Sequence, residues 1–324
     1  FYQSPRFPQK RSIRKTYNLA VLPLSFSDEK HTTFDPLFWA DLRDYYATQS
    51  KGQFRISVKQ YPALPVDFTW KQMSLQGIRS EGETQTLRKA IRTWISKVGE
   101  AVLALHDGVL FYTAGSLGPR GGALWPHQGS LPINQIRFPY VVLPSVGGKY
   151  RNGIAAHEFG HFLGLQDRYK MEGLCLMGTG YEQIPPAPLC SFCQEELGWI
   201  KGGSLPAGES GKVVLHEREL LRVPVNPGKT EYMVLSVRNE KLRIWREGPL
   251  DVREFIGTFP SDTSDRCTPL SVPGFVGTSM GSRELWVTDI RSEKDAIWFS
   301  LAPSGEATPW ESARQKSIGQ RLGP

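Results

Sequence analysis

A chain of 324 residues is long enough for one large domain or two ordinary ones. Hydrophobic residues make up 40% and charged residues 22% of it, as in soluble globular proteins, and no apolar run approaches the roughly 20 residues that span a bilayer. The formal charge of +7 does not point to nucleic acid: Arg6, Lys10, Arg11, Arg14 and Lys15 carry +5 of it within residues 1–15, a basic arm on a near-neutral body and not a groove that follows phosphates.

TYNLAVLPLSF (16–26) reads as a strand. DPLFWADLRDYYATQ (35–49) reads as a helix, with Asp35 as cap, Pro36 at the first position and Leu37, Phe38, Leu42, Tyr45 and Tyr46 as its apolar stripe. In QFRISVKQY (53–61), Phe54, Ile56 and Val58 alternate with polar residues, as in a half-buried strand. TQTLRKAIRTWISKVGEAVLAL (84–105) is expected to be one long amphipathic helix, buried along Leu87, Ile91, Ile95, Val98 and Val102. DGVLFYTAG (107–115) reads as a buried strand, and residues 116–150 as a long irregular stretch holding one apolar segment, YVVLPSV. A helix over 154–164 follows, so strands and helices alternate in a mixed α/β (α+β) domain with a mixed sheet.

Beyond Trp199, KGGSLPAGESGK (201–212) reads as a linker. KVVLHE, LLRVPV, EYMVLSVRN, LRIWRE, ELWVTDI and AIWFSLA are then short β-rich segments that fit a small antiparallel β-sandwich, with a tail over 303–324. The four cysteines, Cys175, Cys190, Cys193 and Cys267, suit an oxidising compartment and two disulfides in any of three connectivities, with a zinc held by all four as the competing arrangement. The chain opens on Phe1 without a basic-then-apolar leader, as expected after a removed signal peptide or at the edge of a fragment.

The chemistry concentrates in IAAHEFGHFLGLQD (154–167). On a helix, His157 and His161 lie one turn apart on the same face and can offer imidazole nitrogens to one tetrahedral zinc ion. Glu158, rotated about 100° from His157, is placed to reach a water at that ion, the His-Glu-x-x-His arrangement of zinc proteases. Gly164 can end the helix in a left-handed conformation and turn the chain so that Asp167 becomes a third ligand. Three protein ligands leave the fourth position for water, which a catalytic site needs. CLMGTGY (175–181) then puts Met177 in a Gly-flanked turn and Tyr181 where its hydroxyl can reach a tetrahedral intermediate. Met177 reads equally as plain core. His127, in LWPHQG, reads either as a substrate contact or as a loop-stabilising residue, and Gly160 as a point of close approach to a neighbouring element.

HEFGHFLGLQD with the later LCLMGTG resembles the immune inhibitor A family of secreted, metzincin-type zinc metalloproteases. VLPLSFSD, DYYATQSKGQFRISV, DGVLFYTAGSLG, ALWPHQGSL, CSFCQEELGWI and EYMVLSVRN extend the likeness over roughly residues 17–240. The resemblance implies a secreted peptidase with zinc on His157, His161 and Asp167 and Glu158 as general base and acid. Calcium is a second candidate cofactor, although Arg168-Tyr169 departs from the family pattern. No recognisable propeptide precedes residue 17. The implied organisation is a basic arm (1–16), a metalloprotease domain (17–202), a β-rich domain (203–302) and the tail.

The expected function is hydrolysis of protein or peptide substrates by a metal-activated water. The substrate is expected to add as a strand to a sheet edge near residues 109–125. A catalytically inactive protease-like protein that binds glycan or protein is one rival. A zinc hydrolase of non-peptide amides or esters is another. Neither oligomeric state nor disulfide pairing is legible.

Overall fold

The computed structural model describes residues 15–28, 36–67, 69, 71–72, 80–113, 126–133, 136–144, 150–204, 211–217, 219–224, 232–238, 241–247, 253–259, 285–293 and 296–303. The chain divides into two units, Phe1–Trp199 and Ile200–Pro324.

In the first unit, strand β1 (Thr16–Ser25) is buried without a break from Leu19 to Leu24. A strand buried on both faces belongs inside a parallel sheet covered by helices. β1 accordingly pairs in parallel with β2 (Arg55–Gln60), with the two-residue β3 (Leu64–Pro65) and with β4 (Gly108–Thr113). The sheet order is β2-β1-β4-β6-β5. β6 (Ile136–Pro144) is parallel to β4, and β5 (His127–Ile133) is antiparallel to β6 at the sheet's end. The mixed α/β class is therefore as the sequence indicates.

Two sequence expectations are revised here. The stretch expected to be irregular over 116–150 contains the β5/β6 pair. β5 escapes strand patterning because it carries Gly129 and Pro132, poor strand formers that an edge position tolerates. The close pairing of Gly129 with Tyr140 makes use of the missing side chain: a Cβ there would lie 2.6 Å from the Tyr140 ring. In addition, β4 is flanked by β1 and β6, so the substrate edge expected near residues 109–125 is not available along 109–113. The remainder of that range, 114–125, lies outside the described residues.

Helix α1 (Pro36–Gln49) matches its expected span; Asp35, its expected cap, lies outside the described residues. The expected single helix over 84–105 is two: α2 (Glu81–Val98) and the short α3 (Val102–Leu105). Gly99, at φ +89°, stops α2 while its N–H bonds to the Ile95 carbonyl. The start is three residues earlier than expected because Ser80 caps the helix, accepting from the Glu83 N–H at 3.1 Å. The buried face runs through Leu87, Ala90, Ile91 and Trp94, leaving Val98 exposed.

Alternation along the strands feeds two cores. Ala20, Leu22 and Leu24 of β1, with Val109, Phe111, Tyr140 and Val142, meet Leu87, Ile91 and Trp94 of α2. On the opposite face α1 meets helix α4 (Arg151–Phe162) through rings: Phe159 contacts Tyr17 at 5.3 Å, Tyr46 at 5.0 Å and Phe54 at 6.4 Å between centroids. The buried Tyr46 hydroxyl donates to the Ala156 carbonyl at 2.6 Å and fixes α4 lengthwise on α1. Phe159 neighbours Glu158 and faces the core, which turns His157 and His161 toward the other side of the helix.

In the second unit, Lys201–Ser204, expected within a linker, form strand β7, parallel to β9 (Glu219–Pro224). β10 (Tyr232–Arg238), β11 (Lys241–Glu247) and β12 (Arg253–Phe259) complete a five-stranded sheet in the order β12-β11-β10-β9-β7. β8 (Gly211–His216), β13 (Leu285–Glu293) and β14 (Ala296–Pro303) form a three-stranded one in the order β13-β14-β8. Of the expected tail, 303–324, only Pro303, the last residue of β14, is among the described residues. No helix among the described residues is long and apolar enough to cross a membrane.

Phe159, 1% exposed, packs against Tyr17, Tyr46, Phe54 and Phe162. Truncation to Ala is expected to destabilise the first unit by about 3–5 kcal/mol, whereas Leu105→Ala should change stability by no more than about 0.5 kcal/mol. Urea denaturation followed by tryptophan fluorescence checks the contrast.

Candidate metal centre

Helix α4 ends as the glycine predicts. Leu163 is its last residue in helical conformation and Gly164 takes φ +94°. The Leu165 N–H bonds to the Gly160 carbonyl at 3.1 Å and the Gly164 N–H to the His161 carbonyl at 3.0 Å. This is a Schellman closure, and it satisfies two carbonyls that the helix end would otherwise leave open. The reversed chain delivers Asp167 back to the histidine face.

His157 Nε2 lies 3.1 Å from Asp167 Oδ1, and His161 Nε2 lies 3.4 Å from the same oxygen. One ligating atom from each residue falls within 4.8 Å of the others. The opposite nitrogens are also engaged: His157 Nδ1 contacts the Leu176 carbonyl at 3.0 Å and His161 Nδ1 the Leu165 carbonyl at 2.8 Å. A carbonyl only accepts, so each Nδ1 carries a proton, and Nε2 is the nitrogen that faces Asp167 and is open to a cation. Backbone acceptors that orient histidines in this way are the usual support of a metal site.

The donor set fits a zinc ion. Bonds of about 2.0–2.1 Å in a tetrahedron put neighbouring ligand atoms about 3.3–3.4 Å apart, close to the two His–Asp separations. Where a divalent cation is lacking, the same geometry is held by charge. Burial works against an ionised Asp167, yet hydrogen bonds from His157 and His161 hold its carboxyl well below the usual range. Burial would also lower His161, but Asp167 and Glu158 outweigh it and raise its pKa. Glu158 is buried, and that burial pushes its pKa up against the opposing pull of His161, His157 and His127.

The floor of the centre is the turn over Cys175–Gly178. Gly178 donates to the Cys175 carbonyl at 2.9 Å, Leu176 supplies the acceptor for His157, and the fully buried Met177 lies against α4. A Cβ on Gly160 would stand 2.5 Å from Met177 Sδ. Two helical turns earlier, a Cβ on Gly153 would stand 2.0 Å from the backbone oxygen of Tyr181. The close approach expected at Gly160 is therefore to the methionine, and Gly153 is a second such point that the sequence reading missed.

Tyr181 meets His157 edge-on at 5.0 Å between ring centroids. Tyr169, not singled out from the sequence, lies nearly parallel to His157 at 6.4 Å and is 55% exposed. Burial and then the charge of Asp167 push the Tyr169 hydroxyl up; burial, Glu182 and Asp167 do the same for Tyr181. Both hydroxyls stay protonated near neutral pH and can donate. The signal for Tyr169 was its position two residues after Asp167, on the turn Tyr169–Leu174. His127 opens β5, buried, with Nε2 3.1 Å from Oε1 of the buried Glu83. The pair ties the first turn of α2 to the sheet edge.

The expected disulfides do not form among the described cysteines. Cys175, Cys190 and Cys193 are free and buried. Their nearest sulfur separations, 3.6 and 3.7 Å, exceed an S–S bond of about 2.05 Å. Cys267 lies outside the described residues.

Among solved structures the chain is similar to metalloproteinase-II from Bacteroides fragilis, with 16% identity and a TM-score of 0.35, over 59% of this chain and 54% of that one. The likeness thus spans about half the length of that protein. No protein-family model and no curated protein matches the chain.

Gly153→Ala forces Cβ into the Tyr181 carbonyl and should destabilise the first unit by about 1–3 kcal/mol or more. Gly160→Ala meets side chains and not backbone, the Met177 thioether and, at 3.3 Å, the Tyr46 hydroxyl, and should cost less, with Met177→Ala relieving part of the clash. Thermal unfolding of the three variants and the Gly160→Ala/Met177→Ala pair tests this ordering.

Proposed function

We propose that this chain is a zinc-dependent endopeptidase of metzincin type, secreted and akin to the immune inhibitor A family. The supporting observation is the convergence of His157 Nε2, His161 Nε2 and Asp167 Oδ1, with both Nδ1 protons committed to backbone carbonyls. His157, His161 and Asp167 would hold the ion. When bound, zinc supplies Lewis-acid polarisation of a carbonyl and brings the pKa of a water down to about 7.

The remaining work falls to the chain. Glu158, next to His157 on α4 and buried, accepts the proton of the attacking water and returns it to the departing amine. Tyr181 and Tyr169, flanking the His157 ring with protonated hydroxyls, can donate to the oxyanion that develops at the scissile carbonyl. Met177 and Leu176 keep α4 and its histidines from shifting during turnover.

A substrate backbone would add to the outer edge of β5, the edge strand whose first residue, His127, lies near enough to influence Glu158. Among the described residues β5 pairs with β6 alone, so main-chain groups on its far side are the ones a peptide strand can meet. Affinity from main-chain pairing favours loose sequence selectivity. This places the substrate edge on the other side of the sheet order from β1.

Casein or gelatin cleavage is the direct test. Chelation should abolish it and zinc restore it. Glu158→Gln should keep its zinc at the histidine site while kcat/KM falls about 10²–10⁴-fold. His161→Ala should lose that zinc as well. Unimpaired cleavage by Glu158→Gln would remove the glutamate from the mechanism. Zinc binding with no peptide cleavage would favour a binding protein, and turnover confined to esters or non-peptide amides would favour the other hydrolase class.

A further inference from the structure

Fewer than ten residues after Asp167, the chain begins a second cluster that peptide hydrolysis does not use. Cys175, two residues before Met177, lies with Cys190 and Cys193 so that their three sulfurs fall within 4.8 Å of one another. Cys190 precedes helix α5 (Ser191–Glu196) and Cys193 sits in its first turn, so the Cys-x-x-Cys spacing folds both sulfurs to one side. All three are 0–1% exposed.

We propose that Cys175, Cys190 and Cys193 bind a zinc ion that locks the methionine turn to helix α5. The distances carry the proposal. Zinc–thiolate bonds of about 2.3 Å in a tetrahedron separate neighbouring sulfurs by about 3.8 Å. Cys175–Cys193 is 3.7 Å and Cys190–Cys193 is 3.6 Å. A disulfide would require the sulfurs to close by more than 1.5 Å, and joining any two would still leave the third thiol buried and unused.

Two neighbouring groups can support coordinated sulfurs. The Cys190 backbone N–H donates to Cys175 Sγ at 3.3 Å, the kind of donor that stabilises a coordinated sulfur. Arg168, held by Glu196 at 2.6 Å, lies close enough to Cys190 and Cys193 to interact with their charges. Three thiolates and a divalent zinc sum to −1, a charge that the nearby Arg168 guanidinium, shared with Glu196, attracts. Binding releases one proton per thiol to solvent and involves no redox change.

The consequence reaches the first centre through the backbone. Cys175 is followed by Leu176, whose carbonyl orients His157, and by Met177, which lies under Gly160. A cation on the cysteines fixes the start of that turn at Cys175 and its far partner at Cys190–Cys193. The proposal does not depend on the reading of the histidine site.

The test uses the full chain loaded with zinc alone, then with cobalt(II) alone. Metal analysis should give about two zinc ions per wild-type chain and about one in either Cys193→Ser or His161→Ala. The cobalt(II) form of the wild type should show sulfur-to-cobalt charge transfer in the near ultraviolet and strong tetrahedral visible bands. Those bands should persist in His161→Ala and vanish in Cys193→Ser. If Cys193→Ser fails to fold, the spectra of wild type and His161→Ala still decide the matter. Absence of thiolate bands from both, or a Cys190–Cys193 disulfide found by mass spectrometry in the zinc-loaded native protein, overturns the proposal. One zinc with thiolate bands that His161→Ala leaves unchanged supports the cysteine site and counts against the histidine centre, so the two failures are distinguishable.

Discussion

The site depends on one packing constraint: helix α4 must lie almost in contact with the backbone of the turn that follows it. Gly153 and Gly160, two helical turns apart, remove the side chains that would hold the two apart. Only at that distance can the Leu176 carbonyl reach His157 Nδ1 and fix its proton. A neutral imidazole whose proton is committed on one side has a single lone pair left, and direction follows from it. Had either glycine been larger, the residues of the His-Glu-x-x-His motif would still be present, but the ring would lack the acceptor that aims it.

The opposite side of α4 explains why the helix cannot rotate away. Phe159 is enclosed by Tyr17, Tyr46 and Phe54, and the Tyr46 hydroxyl is bonded to the Ala156 carbonyl. Rotating the histidines out of register would expose a phenylalanine and break a buried hydrogen bond, each costing on the order of 1–3 kcal/mol. The sheet contributes rigidity. β1 is buried along most of its length, and the helices it requires on both faces are α2 on one side and α1 with α4 on the other. The polar centre therefore rests on apolar packing that has no chemistry of its own.

Electrostatics acts within this frame as a balance. Two histidines draw the Asp167 carboxyl down while the buried Glu158 is pushed up. Two acids ten residues apart or less thus receive opposite shifts from their surroundings, one suited to staying ionised and the other to exchanging a proton. The cysteine cluster stands on the far side of the same turn, so both groups of ligating atoms bear on one short stretch of backbone, Cys175–Met177.

The residues of the site were legible because helical spacing is a local property. Four residues separate two histidines on any α-helix, and a glycine three residues on can reverse the chain whatever surrounds it. The α1 and β2 segments were legible for the same reason, since their apolar periods are strong and short in range. What local patterns could not decide were pairings between distant segments. β5, with its glycine and proline, is a strand only because β6 supplies partners, and Lys201–Ser204 is a strand only because β9 does. The long helix divides at Gly99, whose φ of +89° ends α2, although the apolar period runs on past it. Four cysteines suggested two disulfides or one shared zinc, whereas folding gathers Cys175, Cys190 and Cys193 with sulfurs 3.6 and 3.7 Å apart. Sequence determined which donors exist and how they repeat along a helix; tertiary structure decided which nitrogen holds each proton and which sulfurs meet, because both depend on atoms brought together from separate parts of the chain.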